Sequence, residues 1–204
     1  VANKIAGGEV VERPASVVKE LLENALDAGG TRLRIELESA GKKLIRIVDD
    51  GIGMGYDDAM LSFERHATSK LREAQDLFSV ATLGFRGEAL PSIASVSQLM
   101  METRSKEEPT GTRVEITGGR MLNVEEAARP PGTTINVRNL FYNVPARRKF
   151  LRARQTERAQ IVDVVTRAAL AHPQVRFTLV HDGRTLREFL PAPSRYARAK
   201  TILD

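Results

Sequence analysis

Cysteine and tryptophan are both missing from this 204-residue sequence, and only 5% of it is aromatic. Without cysteine there is no disulfide, no thiolate metal site and no cysteine nucleophile, which fits a cytosolic protein. Without tryptophan the core must be mostly aliphatic. No stretch approaches the roughly 18 to 20 apolar residues that a membrane span needs, so no membrane partner is expected. A signal-peptide pattern of charged start, apolar run and small-residue cleavage site is also lacking. His66, His172 and His181 are too scattered to make a metal site. There is no Gly-x-x-x-x-Gly-Lys-Ser/Thr string, which disfavours a P-loop.

Hydrophobic residues make up 42%, enough for a real core, and the length suits one domain. The net charge of +5 permits contact with polyanions. Arginine is dense in the last third, from Arg147 to Arg158 and from Arg184 onward. The sequence opens at Val1 in mid-motif and ends after a Pro- and Arg-containing tail, so it is expected to be a fragment of a longer protein.

Pro14 suits the first turn of a helix. Val17, Val18, Leu21, Leu22, Ala25 and Leu26 recur at helical spacing, and Gly29-Gly30 suits a left-handed stop. Residues 31–38 alternate strictly, with Leu33, Ile35 and Leu37 on one side, and 44–48 make a second strand after a turn at Gly41-Lys42-Lys43. Helices are expected over 57–64, 71–78, 88–95 and 157–170. Strands are expected over 96–103, 112–117, 121–124 and 133–137, with a last hairpin over 175–180 and 185–190. Strand runs and helices are partly segregated, which predicts one mixed sheet with helices on a single face.

Three motifs carry chemistry. Glu20, Asn24 and Asp27 share the face of the first helix opposite its apolar stripe. A carboxylate there can act as a base for water, and Asn24 is a neutral oxygen ligand of the kind Mg²⁺ accepts. A solvated polar face would look the same. Next comes Asp49-Asp50-Gly51-Ile52-Gly53. Asp49 follows a buried strand and can accept a hydrogen bond from an exocyclic amine such as adenine's, while the glycines let backbone approach a flat ring. A plain strand-ending turn is the bland alternative. Last, Gly84 and Gly87 flank Phe85-Arg86 before an expected helix, an arrangement that can hold anions. Upstream, Arg65-His66-Ala67-Thr68-Ser69-Lys70 offers two hydroxyls and a cation for a lid over phosphates. A charged surface loop is the alternative.

In order and spacing these motifs resemble the GHKL ATPases, the superfamily of gyrase, the ninety-kilodalton heat-shock chaperones and the histidine kinases. Three further strings are similar to the DNA mismatch-repair branch of that superfamily. They are Gly8-Glu9-Val10-Val11-Glu12-Arg13-Pro14, Gly84-Phe85-Arg86-Gly87-Glu88-Ala89-Leu90 and Phe141-Tyr142-Asn143-Val144-Pro145-Ala146-Arg147-Arg148-Lys149-Phe150. The likeness runs from the first residues to about Leu190.

The resemblance implies an α+β, Bergerat-type sandwich over residues 1–190, with 191–204 starting a linker to a second domain. It implies ATP and Mg²⁺ as cofactors. Glu20 would be the general base, Asn24 the Mg²⁺ ligand, and Asp49 the acceptor for the adenine amine, with Gly53 beneath the ring and Thr133 supporting the contact. Thr68, Ser69, Lys70, Gly84, Phe85, Arg86, Gly87 and Glu88 would surround the β- and γ-phosphates. It further implies a nucleotide-dependent homodimer or paralogous heterodimer and a mismatch-recognition partner of the MutS type. DNA would be met mainly through regions outside this sequence. The location would be cytoplasmic in a bacterium and nuclear in a eukaryote. Two departures from the family pattern are Val144, where threonine is usual, and Asp50, where asparagine is frequent and a carboxylate adds charge near the nucleotide.

Two other readings compete. A nucleotide-binding assembly module without hydrolysis would keep the pocket and lose only the role of Glu20. A sensor kinase core is disfavoured because no dimerisation helix with an acceptor histidine precedes the fold. The Arg147 to Arg158 run is read as a solvated helix face with an interdomain or dimer role, ahead of a DNA contact.

Overall fold

A computed structural model describes residues 11–64 and 88–203. The expected helix over 71–78 and the residues Thr68, Ser69, Lys70, Gly84, Phe85, Arg86 and Gly87 lie outside them, as does His66.

Helix α1 (Pro14–Asp27) buries Val17, Val18, Leu21, Leu22 and Ala25, the stripe read from the sequence. Its end is closed by Gly30 N–H on the Ala25 carbonyl and Gly29 N–H on the Leu26 carbonyl, the paired bonds of a Schellman motif. Strand β1 (Arg32–Glu38) alternates as expected, with Leu33, Ile35 and Leu37 inside. A single 3-10 turn at Ser39–Gly41 leads into β2 (Leu44–Asp49), which pairs antiparallel with β1. Then follow α2 (Tyr56–Leu61), α3 (Ala89–Ser95), β3 (Gln98–Arg104), β4 (Gly111–Thr117), β5 (Arg120–Ala127) and β6 (Gly132–Arg138). The chain continues through α4 (Pro145–Phe150), α5 (Arg154–Ala171), β7 (Arg176–His181), β8 (Arg184–Phe189) and α6 (Arg195–Leu203).

Among the described residues eight strands form one sheet in the order β5-β4-β3-β6-β2-β1-β7-β8. All neighbours are antiparallel except β1 and β7. Helices α1 and α5 pack on each other, α1 also on β2, α5 on β7, and α3 on β3 and β4. Their apolar faces meet the sheet in one core that includes Leu21, Leu22, Ile35, Ile45, Ile161, Val165 and Phe177. The fold is the expected mixed, mostly antiparallel α+β sandwich.

Two elements carry no apolar signal. Helix α4 buries no residue, so it leaves no apolar period to read. The stretch expected to begin a linker carries α6, which packs on α5. Arg198 is fully buried and donates to the carbonyls of Ala169, Pro173, Val175 and Leu190 at 2.7 to 2.9 Å, and its guanidinium lies 5.7 Å from the Phe189 ring centroid. A buried anchor that is an arginine hides the helix from hydropathy.

Candidate functional site

The C-terminal half of α1, the turn after β2, and the cores of β2 and β6 enclose one cavity. Asn24 and Asp27 line it from the helix, Asp49 and Gly53 from the turn, and Thr133 from β6. Its walls are otherwise apolar, with Leu21, Ala25, Ile47, Ile52, Met54, Leu90 and Ile135. Ile47 and Ile135 face each other across the β2–β6 pair and make its floor. A few polar groups converging in an apolar concavity is the usual build of a small-molecule site.

The turn is held tightly against the helix end. Ile52 N–H donates to the Ala28 carbonyl at 2.9 Å. Gly53 has φ +64°, and a Cβ there would stand 1.9 Å from the Arg104 carbonyl oxygen. The glycine is therefore demanded by a backbone crossing and by left-handed geometry, whatever else the position does.

Asp49 is 8% exposed and pairs in register with Thr133. Burial pushes its pKa up from an ordinary 3.8 to about 6. The backbone N–H of Gly51, which donates to Oδ1 at 2.8 Å, opposes that rise. So do the Arg129 charge and the Thr133 N–H, while the neighbouring Asp50 charge adds to it. The carboxylate is thus poorly solvated and titrates nearer to neutral pH than an ordinary aspartate, which marks functional pockets more often than surfaces.

Asp50 does not join the cavity lining. Its carboxylate accepts from Thr31 N–H at 2.7 Å, Thr31 Oγ1 at 2.6 Å and Arg32 N–H at 2.9 Å. Burial works against its charge, but these hydrogen bonds outweigh it and hold the pKa below the ordinary value. The extra charge read from the sequence as lying near the nucleotide is engaged in fastening the start of β1.

Glu20 sits half-buried one turn before Asn24 on α1 and is not among the residues lining the cavity. Glu88 is exposed at the N-terminal cap of α3, where its carbonyl accepts from Ser92 N–H at 3.0 Å. Leu90, two residues on, reaches the cavity wall. Among the described residues no three His, Cys, Asp or Glu side chains gather to hold a metal. The one oxygen donor the helix brings into the cavity lining without a charge is Asn24. A single neutral ligand fits Mg²⁺, which keeps several waters and takes the rest of its shell from phosphates.

Sequence reasoning missed Thr103 and Arg129. Thr103 lies in register with Thr133 across β3 and β6, fully buried, in a row that runs Asp49, Thr133, Thr103, Thr112 over four strands. The row two residues along reads Ile47, Ile135, Met101, Val114. A polar row beside an apolar one on the same face was the available signal, but it needs the strand pairing to be seen. Arg129 is half-buried in the loop before β6, its side chain donating to the carbonyls of Pro130 and Glu102.

The sheet with helices on one face, and the cavity between helix, acidic turn and strand, define an ATPase domain of the GHKL class. A family model described as "Histidine kinase-, DNA gyrase B-, and HSP90-like ATPase" matches residues 12–132. The DNA mismatch repair protein MutL of Solibacter usitatus is 72% identical over 202 residues, covering 99% of this chain and 31% of that protein. MutL of Acidobacterium capsulatum is 65% identical over 179 residues, covering 88% and 27%. A solved structure, the Aquifex aeolicus MutL ATPase domain complexed with ADP, has a TM-score of 0.77 at 34% identity, covering 95% of this chain and 70% of that one. The chain belongs to the histidine kinase-, gyrase B- and HSP90-like ATPases and, among them, to the MutL ATPase domains. It spans under a third of the length of these two MutL relatives. Among the described residues no helix is long and apolar enough to cross a membrane.

Proposed function

We propose that this domain binds ATP with Mg²⁺, hydrolyses it slowly, and serves as the nucleotide-driven dimerisation clamp of a mismatch-repair protein. The observation that carries the reading is the convergence of Asn24, Asp49, Gly53 and Thr133 on one apolar-walled cavity. The adenine lies between the apolar walls, its amine donating to Asp49, with Thr133 beside it. The phosphates run along α1 towards Asn24 and Glu20. Asn24 is the residue that would hold Mg²⁺, whose charge would neutralise the phosphate oxygens. Glu20 accepts a proton from the attacking water as its oxygen bonds to the γ-phosphorus, and the bond to the ADP oxygen breaks. By the family resemblance, Thr68, Ser69, Lys70 and residues 84–88 would supply the contacts to the β- and γ-phosphates.

The ADP held by the Aquifex domain supports nucleotide as the ligand of this chain too. Coupling to a MutS-type mismatch sensor, pairing with a second copy or a paralogue, and contact with DNA belong to the same proposal, as do residues 1–190 as the ATPase unit. The test is phosphate release from ATP by this chain and by Glu20→Ala. Loss of turnover with retained binding supports the assignment. Turnover that survives the substitution removes Glu20 from its role, and binding without turnover in both chains favours the assembly module.

A further inference from the structure

We propose that Thr103, hidden behind the cavity wall, is the positioning residue that makes this site selective for adenine, because its hydroxyl sets which way the Thr133 hydroxyl points. The inference rests on the reading of Asp49 and Thr133 as the base-holding pair.

Thr103 has no exposed surface, so its hydroxyl must be satisfied inside the protein. Three polar atoms meet its Oγ1. Met54 N–H donates to it at 2.9 Å, Thr133 Oγ1 lies at 2.8 Å, and the Gly132 carbonyl oxygen lies at 3.3 Å. Met54 follows Gly53 in the acidic turn, and Gly132 and Thr133 begin β6. One buried hydroxyl therefore ties together the two chain segments that carry the polar wall.

The proton count gives the wall its sign. A threonine hydroxyl has one proton and two acceptor sites. Met54 N–H fills one acceptor site on Thr103. The single Thr103 proton can then go to Thr133 Oγ1 or to the Gly132 carbonyl. Either hydroxyl can donate across the 2.8 Å contact, but the arrangement in which Thr133 donates sends the Thr103 proton to the Gly132 carbonyl at 3.3 Å, long for an O–H···O bond, so the inferred direction is from Thr103 to Thr133. Thr133 then keeps its own proton for the cavity. The wall presents a donor, the Thr133 hydroxyl, beside an acceptor, the Asp49 carboxylate. Adenine's edge carries the matching pair, a ring nitrogen that accepts and an amine that donates. Hypoxanthine, with a ring N–H and a carbonyl, is reversed at both positions.

Thr103→Val keeps the shape but removes the bond to Thr133 and leaves Met54 N–H without its acceptor. Thr103→Ser keeps the hydroxyl. The experiment is equilibrium binding of ATP and ITP to the 204-residue chain and to both variants, with melting temperature recorded alongside. One hydrogen bond of ordinary worth corresponds to roughly three- to tenfold in affinity. Thr103→Val is expected to lose about that factor for ATP and little for ITP, so the ATP-to-ITP preference contracts, and Thr103→Ser is expected to restore it. A purely structural threonine would lower both affinities together or only the melting temperature. An unchanged preference in Thr103→Val, with a wild-type chain that prefers ATP, overturns the role of Thr103 alone. A wild-type chain that binds ATP no better than ITP overturns the adenine site and this inference with it. If Thr103→Val does not fold, Thr103→Ala carries the same comparison.

Discussion

Replacing Asp49 with asparagine is expected to stabilise the empty domain while abolishing its hold on nucleotide. The sign follows from the direction of the pKa change. Burial raises Asp49 from 3.8 to about 6 in the folded chain. Below the unfolded value both states are protonated and nothing is lost. As pH rises from there through about 6, the unfolded chain releases its proton first, and folding stability falls. Above the folded value the loss is complete. A shift of about two units at 1.36 kcal/mol each makes the charged form cost about 3 kcal/mol near neutral pH. At pH 5 the same relation leaves about 1.6 kcal/mol. Asparagine has no charge to bury and keeps one oxygen for the Gly51 N–H. Urea unfolding of Asp49→Asn and wild type at pH 7.5 and pH 5 measures both. The variant's advantage should shrink by about 1.4 kcal/mol between the two. A difference that does not change with pH, or a variant that loses more stability at pH 7.5 than at pH 5, refutes the reasoning. Stability gained by removing a site residue is the expected sign of a group retained for function.

Glu20→Gln should leave ATP affinity near wild type and lower phosphate release by at least about 100-fold, the low end for a positioned base, in a single-turnover assay. Gly53→Ala should destabilise the fold by more than about 2 kcal/mol in chemical denaturation, because left-handed strain of roughly 1 to 2 kcal/mol is joined by a 1.9 Å approach to the Arg104 carbonyl. ATP affinity should weaken as pH falls through about 6, where Asp49 gains its proton and the anionic acceptor is lost. Calorimetric titration across pH 5 to 8 would follow this, and an affinity flat over that range would count against Asp49 as the amine's partner. Arg198→Met should release α6, seen as faster amide exchange over 195–203 and faster tryptic cleavage at Arg195 and Lys200, while β1 and β2 keep their protection.

Most of the fold was legible because its strands are half-buried. Leu33, Ile35 and Leu37 show the period of two outright, and the flanking glycines mark the turns. Local alternation does not name a partner, so the parallel pairing of β1 with β7, from opposite ends of the chain, had to come from the structure. Helix α4 lies on the surface with no buried side chain, and α6 is anchored by an arginine, so neither carries an apolar signal. At the candidate site, Asn24, Asp49 and Gly53 were readable as motif residues and Thr133 only through the family resemblance, and the cavity gathers all four. Glu20 stands apart from that lining, one turn along α1. The reason for Gly53 was only half visible, since the Arg104 carbonyl it avoids is about fifty residues away. Thr103 was invisible for the same cause: it acts through a cross-strand contact, and a lone threonine in a strand has no chemistry of its own. Asp50 follows Asp49 directly but does not line its cavity, since successive strand-end side chains point to opposite sides.

The most direct measurement is a titration of the isotope-labelled chain with a non-hydrolysable ATP analogue and Mg²⁺, following backbone amide resonances, with Asp49→Ala as control. Saturable shifts concentrated at Asn24, Gly53, Met54 and Thr133 in the wild type, absent from the variant, are the expected result. Saturable shifts that leave those four amides unmoved, or that persist unchanged in Asp49→Ala, would contradict the account.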